Sequence, residues 1–187
     1  MKLRIISGEL KGRFLSVPGS SSFRPTLERT RESVAEILKT VLPGAVAADI
    51  CAGSGAFGFE MISRGALKVD FIEQDRTRAS LIRRNAEALG VEDRVRVITS
   101  DARTFVRESR ERYDVVFYDP PYDDGNLQEL LPSLMNLLRE NGILVYERKR
   151  GQREKTPPSP GDKPKLYDAR LYGESAVEFY RMIEEEI

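Results

Sequence analysis

The chain contains no histidine and only one cysteine in 187 residues. Without imidazole, serine–histidine triads, histidine zinc sites and imidazole acid–base steps are excluded, while carboxylates, lysine and tyrosine remain for such work. A lone thiol, Cys51, can make neither an internal disulfide nor a multi-thiolate metal site, which fits a reducing compartment and a metal-free protein. No apolar run approaches the roughly 18 residues of a spanning helix, and the opening MKLRIISGELKGR lacks the apolar core of a signal peptide, so a cytoplasmic protein away from membranes is expected. Excess charge is missing as well. Thirty Lys and Arg balance 30 Asp and Glu, so the whole chain is not a polycation built to coat nucleic acid, and only local patches can serve that purpose.

What is present is a regular alternation. AVAADI (45–50), LKVDFIE (67–73), RVRVIT (94–99), YDVVFYD (113–119) and GILVYE (142–147) read as strands, mostly the continuous apolar kind of a covered parallel sheet. Between them, Ala79, Ile82, Ala86 and Leu89 fall at helical spacing behind a candidate N-cap, Asp75, and before a helix-stopping Gly90. The leucines at 127, 130, 131, 134, 137 and 138 predict a second helix over 126–139, with Pro132 shifting its start or kinking it. Repeated βα units imply a doubly wound α/β sheet with helices on both faces.

The ends depart from this pattern. LRIIS and RFLSVP, joined by GELKG, predict a β-hairpin, and FRPT leads into a helix with Val34, Ile37, Leu38 and Val41 on one face. These 44 residues carry eight basic side chains against four acidic ones. Clustered cations favour phosphate contact over mere solvation of the fold. Residues 151–165 are proline-rich and polar and read as a loop, after which RLYG and AVEFYRMI predict a closing hairpin. Asp114 and the RESRERY run before it read as a solvated face.

DICAGSGAFGFE places Gly53, Gly55 and Gly58 in a G-x-G-x-x-G pattern after the first sheet strand and at the start of a helix. Such glycines permit a tight turn and close approach of a ligand, and Glu73, ending the next strand, is placed to accept hydrogen bonds from ribose hydroxyls. A dinucleotide and S-adenosylmethionine (AdoMet) both suit that pattern. A pyrophosphate seeks helix N-terminal N–H groups without negative charge nearby, whereas a cofactor carrying an ammonium and a sulfonium tolerates a carboxylate there. Asp49 stands at that spot, and Asp101 follows the third strand, placed for the adenine amino group with Ala102 offering backbone contact. These strand-end acids favour AdoMet, although each of Asp49 and Asp101 could also be a helix cap. Ala52, in the turn, and Gln74, beside Glu73, complete the candidate cofactor set. Cys51, Ser54 and Phe57 read as turn and core residues.

The fourth strand ends in Asp119-Pro120-Pro121-Tyr122, a stiff segment facing the cofactor's methyl group if the strand lies next to the first. An exocyclic base nitrogen is a poor nucleophile because its lone pair is delocalised into the ring. The Asp119 carboxylate and the Pro120 carbonyl could hold both amino hydrogens and localise that lone pair. Pro121 stiffens the turn, and Tyr122 can stack on the base, an interaction of ~1–3 kcal/mol. No histidine is needed. Guanine and adenine both present such an amine, so spacing leaves a DNA adenine-N6 enzyme open beside an RNA guanine-N2 enzyme. A nucleotide-binding dehydrogenase would leave Asp49 and the Asp-Pro-Pro-Tyr segment without a role, and a non-catalytic RNA-binding module would show no AdoMet dependence.

Taken with RIISGELKGRFLSVPG, FRPTLERTRESVAEIL, FIEQD and RLYGESAVEFY, these motifs resemble the RsmD family of 16S ribosomal RNA guanine-N2 methyltransferases over nearly the whole chain. The resemblance implies a Rossmann-like class I AdoMet methyltransferase: a mostly parallel seven-stranded sheet over 44–187, with residues 1–43 as an RNA- and cofactor-facing extension. It implies AdoMet at Asp49, Ala52, Gly53, Gly55, Glu73, Gln74, Asp101 and Ala102, and the target amine at Asp119, Pro120, Pro121 and Tyr122. It further places Arg24, Pro25, Thr26, Arg29 and Arg31 in a segment near cofactor and RNA, and the basic N-terminal patch adds Arg4, Lys11 and Arg13 to the candidate RNA contacts. The substrate implied is guanine 966, in the family's nomenclature, of 16S rRNA in an assembling 30S particle, methylated by a monomer; the target guanine must be unpaired or flipped to reach Asp119.

Overall fold

Apolar strands and amphipathic helices close around one sheet in the computed structural model, which describes residues 2–17, 25–121, 129–151 and 164–182. In chain order the elements are β1 (Lys2–Arg4), β2 (Phe14–Ser16), α1 (Pro25–Ile37), β3 (Val46–Ile50), α2 (Ala56–Ser63), β4 (Lys68–Ile72) and α3 (Arg76–Leu89). After a 3-10 turn come β5 (Val95–Ile98), α4 (Ala102–Glu108), β6 (Tyr113–Tyr118), α5 (Leu131–Met135), β7 (Leu138–Lys149), β8 (Pro164–Tyr172) and β9 (Ser175–Met182). Seven strands form one sheet in the order β5-β4-β3-β6-β7-β9-β8. The first five of these run parallel, and β9 is antiparallel to both its neighbours. The order reverses at β3, between β4 and β6, and open α/β sheets bind ligands beyond the carboxyl ends of the strands at such a point.

Successive side chains of a strand point to opposite faces, so a sheet covered on both sides reads as unbroken apolar runs. Ala47, Val69, Phe71, Val115, Phe117 and Val145 pack beneath α1, α2 and α3. Ala48, Ile50, Ile72, Val116, Tyr118 and Leu144 meet α4 and α5 on the other face. The caps expected of α3 form: Asp75 Oδ1 accepts the Arg78 N–H at 2.8 Å, and Gly90 ends the helix at φ 72°. Among the described residues no helix is long and apolar enough to cross a membrane.

The N-terminal hairpin pairs β1 with β2 about Leu3↔Leu15 but stays out of the large sheet. It docks on α2 and α3 instead. Glu60, fully buried, accepts the Ile6 and Ser7 N–H groups, each at 3.0 Å. Ser63 accepts the Leu10 N–H on its hydroxyl at 2.9 Å and the Glu9 N–H on its carbonyl at 2.8 Å. Asn85 Oδ1 accepts the Ser16 N–H, and its Nδ2 donates to the Ser16 carbonyl, both at 2.9 Å. Ile5, Leu10, Leu15 and Val17 thereby join the core beneath α1–α3, so residues 2–17 and the sheet share one apolar interior.

Two expectations change. The helix foreseen over 126–139 is, in the described residues, the five-residue α5 with Pro132 in its first turn, where a missing N–H leaves no bond unmade. Leu137 lies in a turn and Leu138 opens β7 opposite Tyr113, with a register shift before Val115. Helical spacing of leucines had an equally apolar alternative, a turn followed by a long strand. Asp114 is no solvated acid: it accepts the Val46 N–H and pairs with Arg139, both at 2.8 Å, tying the start of β3 to β6 and β7. The expected closing hairpin is β8–β9, with Tyr172 opposite Ser175. Most of the expected loop 151–165 lies outside the described residues.

Candidate functional site

β3 leaves the sheet through a turn of left-handed residues. Cys51 has φ 64°, and Gly53 and Gly55 follow at 55° and 73°. The turn is anchored by the Ala52 N–H on the Ile72 carbonyl at 3.0 Å and closed by the Gly55 N–H on the Ala52 carbonyl at 2.7 Å. Gly58 serves packing: a Cβ there would stand 2.2 Å from Phe71 Cε1 and 3.0 Å from Asp49 Oδ2. Gly58→Ala should therefore push α2 off β4 and cost ~1–3 kcal/mol, seen as a lower urea midpoint with unchanged slope.

The strand-end acids gather around this turn. Glu73, 4% exposed, receives the Gly53 N–H on Oε2 at 2.7 Å and the Asp75 N–H on Oε1 at 2.8 Å, so it holds the turn and keeps a second lone pair on each oxygen for a ligand. Asp49, 2% exposed, accepts the Gly58 N–H at 2.9 Å. Burial pushes its carboxyl up to about 7, opposed by that hydrogen bond and reinforced by the charge of Glu73. Asp101 caps α4 through the Arg103 N–H at 2.9 Å and grips the Arg103 guanidinium at 3.0 and 2.9 Å, which holds its pKa below the ordinary value. Ala102 is buried at the start of α4, Ala52 is half-buried, and Gln74 is exposed next to Glu73.

Asp119 follows β6 with its N–H 3.4 Å from the Ile50 carbonyl of β3. The residue is exposed, yet protein crowds its carboxyl. Desolvation raises its pKa well above the ordinary carboxylate value, and the charges of Glu147 and then Asp49 raise it further. Pro120 is buried and Pro121 exposed; Tyr122 lies outside the described residues. Behind the turn, Phe57 stacks on Phe117 with ring centroids 3.8 Å apart, filling the space beneath both loops.

Cys51 registers the convergence. Its thiol is pushed up to about 12, first by burial and then by Glu73, Asp119, Asp49 and Asp101 in turn. Four acids chosen from four strand ends thus bear on one atom. They ring the turn without closing on a point, since among the described residues no three His, Cys, Asp or Glu side chains could hold a metal ion. A pyrophosphate would meet this negative field, whereas a ligand carrying an ammonium and a sulfonium would be attracted by it, so the donor set fits AdoMet. Glu147 escaped the sequence reading, although GILVYE carries the same signal as Glu73 and Asp119, an acid closing an apolar run.

Of the basic candidates, Arg4, Lys11, Arg13 and Arg29 are exposed. Arg13 also donates to the Ala88 carbonyl at 2.8 Å, and Arg29 lines an open groove of about 660 Å³ with Arg64, Arg170 and Tyr172. Arg31 is different: it is 8% exposed, donates to the Arg4 carbonyl at 3.1 Å, and lies 3.9 Å from Glu60. That leaves its guanidinium little surface for a phosphate. Arg24 lies outside the described residues, and Thr26 is described only as backbone of α1.

The sequence model of the family described as Conserved hypothetical protein 95 matches residues 3–181. Ribosomal RNA small subunit methyltransferase D of Escherichia coli K12 is 38% identical over 146 residues, 78% of this chain and 71% of the relative. The protein of the same name from Haemophilus influenzae is 35% identical over 162 residues, covering 83% of each chain. A solved structure of a candidate methyltransferase from Escherichia coli superposes with a TM-score of 0.83 at 31% identity, covering 99% of this chain and 100% of that one. The sheet order and the glycine turn are those of a class I, Rossmann-like methyltransferase.

Proposed function

Because the chain belongs to the Conserved hypothetical protein 95 family, that of the RsmD methyltransferases of small-subunit ribosomal RNA, we propose that it methylates the exocyclic N2 of one guanine of 16S rRNA. The position corresponds to guanine 966 in the family's nomenclature, and the substrate is RNA within an assembling 30S particle. AdoMet, when bound, supplies the methyl group as an electrophile on sulfur. The observation that carries the reading is the arrangement of acids: Asp119 stands beside the glycine turn while Asp49, Glu73 and Asp101 surround the same turn.

Each group then has a task. Glu73, already fixing Gly53, accepts from the ribose with its remaining lone pairs, and Asp49 faces the cofactor's cationic end. Asp101 and Ala102 mark the adenine side. Asp119 and the Pro120 carbonyl hold the two amine hydrogens, turning the nitrogen lone pair towards the methyl carbon, and alignment supplies much of the remaining acceleration. Residues 1–43 form the RNA-facing extension, with Arg4, Lys11, Arg13 and Arg29 as its exposed cations. Arg24, Thr26 and Tyr122 remain assigned to RNA and base contact by family resemblance.

The test uses ribosomal particles from a strain lacking this protein, labelled AdoMet, and mass-spectrometric mapping of the methylated nucleoside. A single N2-methylguanosine in the small-subunit RNA is the expected product. Methyladenine as product, or duplex DNA as the preferred acceptor, overturns the assignment.

A further inference from the structure

Parallel register aligns the ends of three adjacent strands. Ile50 of β3 pairs with Tyr118 of β6, and Tyr118 pairs with Tyr146 of β7. The next residue on each strand is Cys51, Asp119 and Glu147, so Asp119 and Glu147 are lateral neighbours across one strand spacing of ~4.8 Å. They also share a face. Tyr118 and Tyr146 stack at 5.7 Å on the side of α4 and α5, while Phe117 and Val145 lie beneath α1–α3. Alternation therefore sends Asp119 and Glu147 to the second side, where Asp49 lies against α2. Glu147 is 6% exposed.

We propose that Glu147 is a positioning residue for methyl transfer, forming with Asp119 a carboxyl pair that takes up the proton released by the methylated amine and is left with a single negative charge. This rests on the functional reading above. In the transfer, N2 forms a bond to the methyl carbon as the C–S bond breaks and its electron pair goes to sulfur. N2 is then cationic until one of its two protons leaves. Asp119, already hydrogen-bonded to that proton, accepts it, and the N–H electron pair returns to nitrogen. A solitary surface aspartate would be too weak a base to keep the proton. Beside an ionised, buried Glu147 carboxylate the same group binds it well, because taking up one proton relieves the repulsion between two neighbouring negative charges.

The charged groups around the pair favour the same outcome. Asp49 adds negative charge from β3, Glu73 and Asp101 lie around the neighbouring turn, and the Cys51 thiol is held neutral. Over the same face, Arg31 of α1 stands against Glu60 of α2. On β9, Val177 pairs opposite Glu147, and Glu178 holds Arg148 on the far face of the sheet. Asp119 is raised above the ordinary carboxylate value with Glu147 the foremost charge responsible, in the direction the pair requires.

The test needs neither RNA nor cofactor at first. Carboxyl-¹³C titration of Asp119 should give a midpoint well above the ordinary range in the wild type, falling by about one pH unit or more in Glu147→Gln. Reciprocally, Glu147 should titrate lower in Asp119→Asn, which secures the measurement if one variant folds poorly. In single-turnover methyl transfer, the acidic limb of the pH–rate profile should move to lower pH in Glu147→Gln, the plateau should fall about tenfold, and Glu147→Asp should recover part of both. A purely structural role would leave the limb in place. Carboxyls that titrate independently of each other, or an unmoved limb, overturn the pair. A wild type that transfers no methyl group to RNA overturns the functional reading and the role in transfer together, while the coupled titration still reports on the two carboxyls alone.

Discussion

Asp119→Ala should lower single-turnover methyl transfer by on the order of 10²–10³-fold at saturating AdoMet, the usual effect of deleting one preorganised group aimed at developing charge. Cofactor affinity, measured by calorimetry, should stay close to the wild type, because the turn is held by Glu73, Ala52 and Gly55, and none of their bonds involves Asp119. The Pro120 carbonyl survives the change and retains one of the two amine hydrogens, so a residual rate is expected. Stability should not suffer. Asp119 lies in the field of Glu147 and Asp49, and removing a like charge relieves repulsion, so the melting temperature should hold or rise. Loss of rate together with gain of stability separates a chemical role from a structural one. A variant that keeps more than about a tenth of the wild-type rate would remove Asp119 from the amine clamp.

Glu60→Ala should cost ~3–5 kcal/mol, because it strips the partner from a buried cation and leaves the charge uncompensated. Arg31 is 8% exposed and its Nε has no hydrogen-bond partner among the described residues, so after the loss of Glu60 the lesser charge of Glu28 would be left to compensate it. Burial already lowers the Arg31 pKa, with Glu60 the foremost opposing influence. The same substitution removes the acceptor of the Ile6 and Ser7 N–H groups, the bonds that seat the N-terminal hairpin on α2. Urea unfolding should show the loss, and amide hydrogen exchange should show it concentrated at Ile6, Ser7 and Leu10. Glu60→Gln keeps an acceptor oxygen and should lose less. A cost under about 1 kcal/mol for the alanine variant would mean that water replaces the carboxylate and that the hairpin is held by its apolar side chains alone.

The sequence announces the sheet well because strands covered on both sides must be apolar throughout, and β3, β4, β6 and the centre of β7 leave no other reading. Asp75 and Gly90 mark α3 because capping is local chemistry, decided within four residues. Glu60 is opaque for the converse reason. Arg64, one turn on, would equally suit a surface ion pair, whereas the partners that mark Glu60 as buried, Ile6, Ser7 and Arg31, lie 54, 53 and 29 residues away. The α5 region misleads because leucine spacing does not distinguish a helix from a turn entering a strand, and β7 runs from Leu138 through polar Arg139, Glu140 and Asn141 before its apolar run. At the site, acids at strand ends are legible individually. Their coupling is not, since the alignment of Asp119 with Glu147 depends on the register of β6 against β7.

The turn after β3 gives the molecule a clock. Only the thiolate reacts with alkylating reagents, and the fold holds the Cys51 thiol up to about 12. When the turn opens and water fully reaches it, the thiol returns to ~8.5, so its thiolate fraction at neutral pH rises by about three to four orders of magnitude. Since Cys51 is the chain's single cysteine, the rate at which an alkylating reagent marks the protein measures how often this one loop lets go. Anything that clasps the loop, a bound nucleoside included, should be heard as a slower tick.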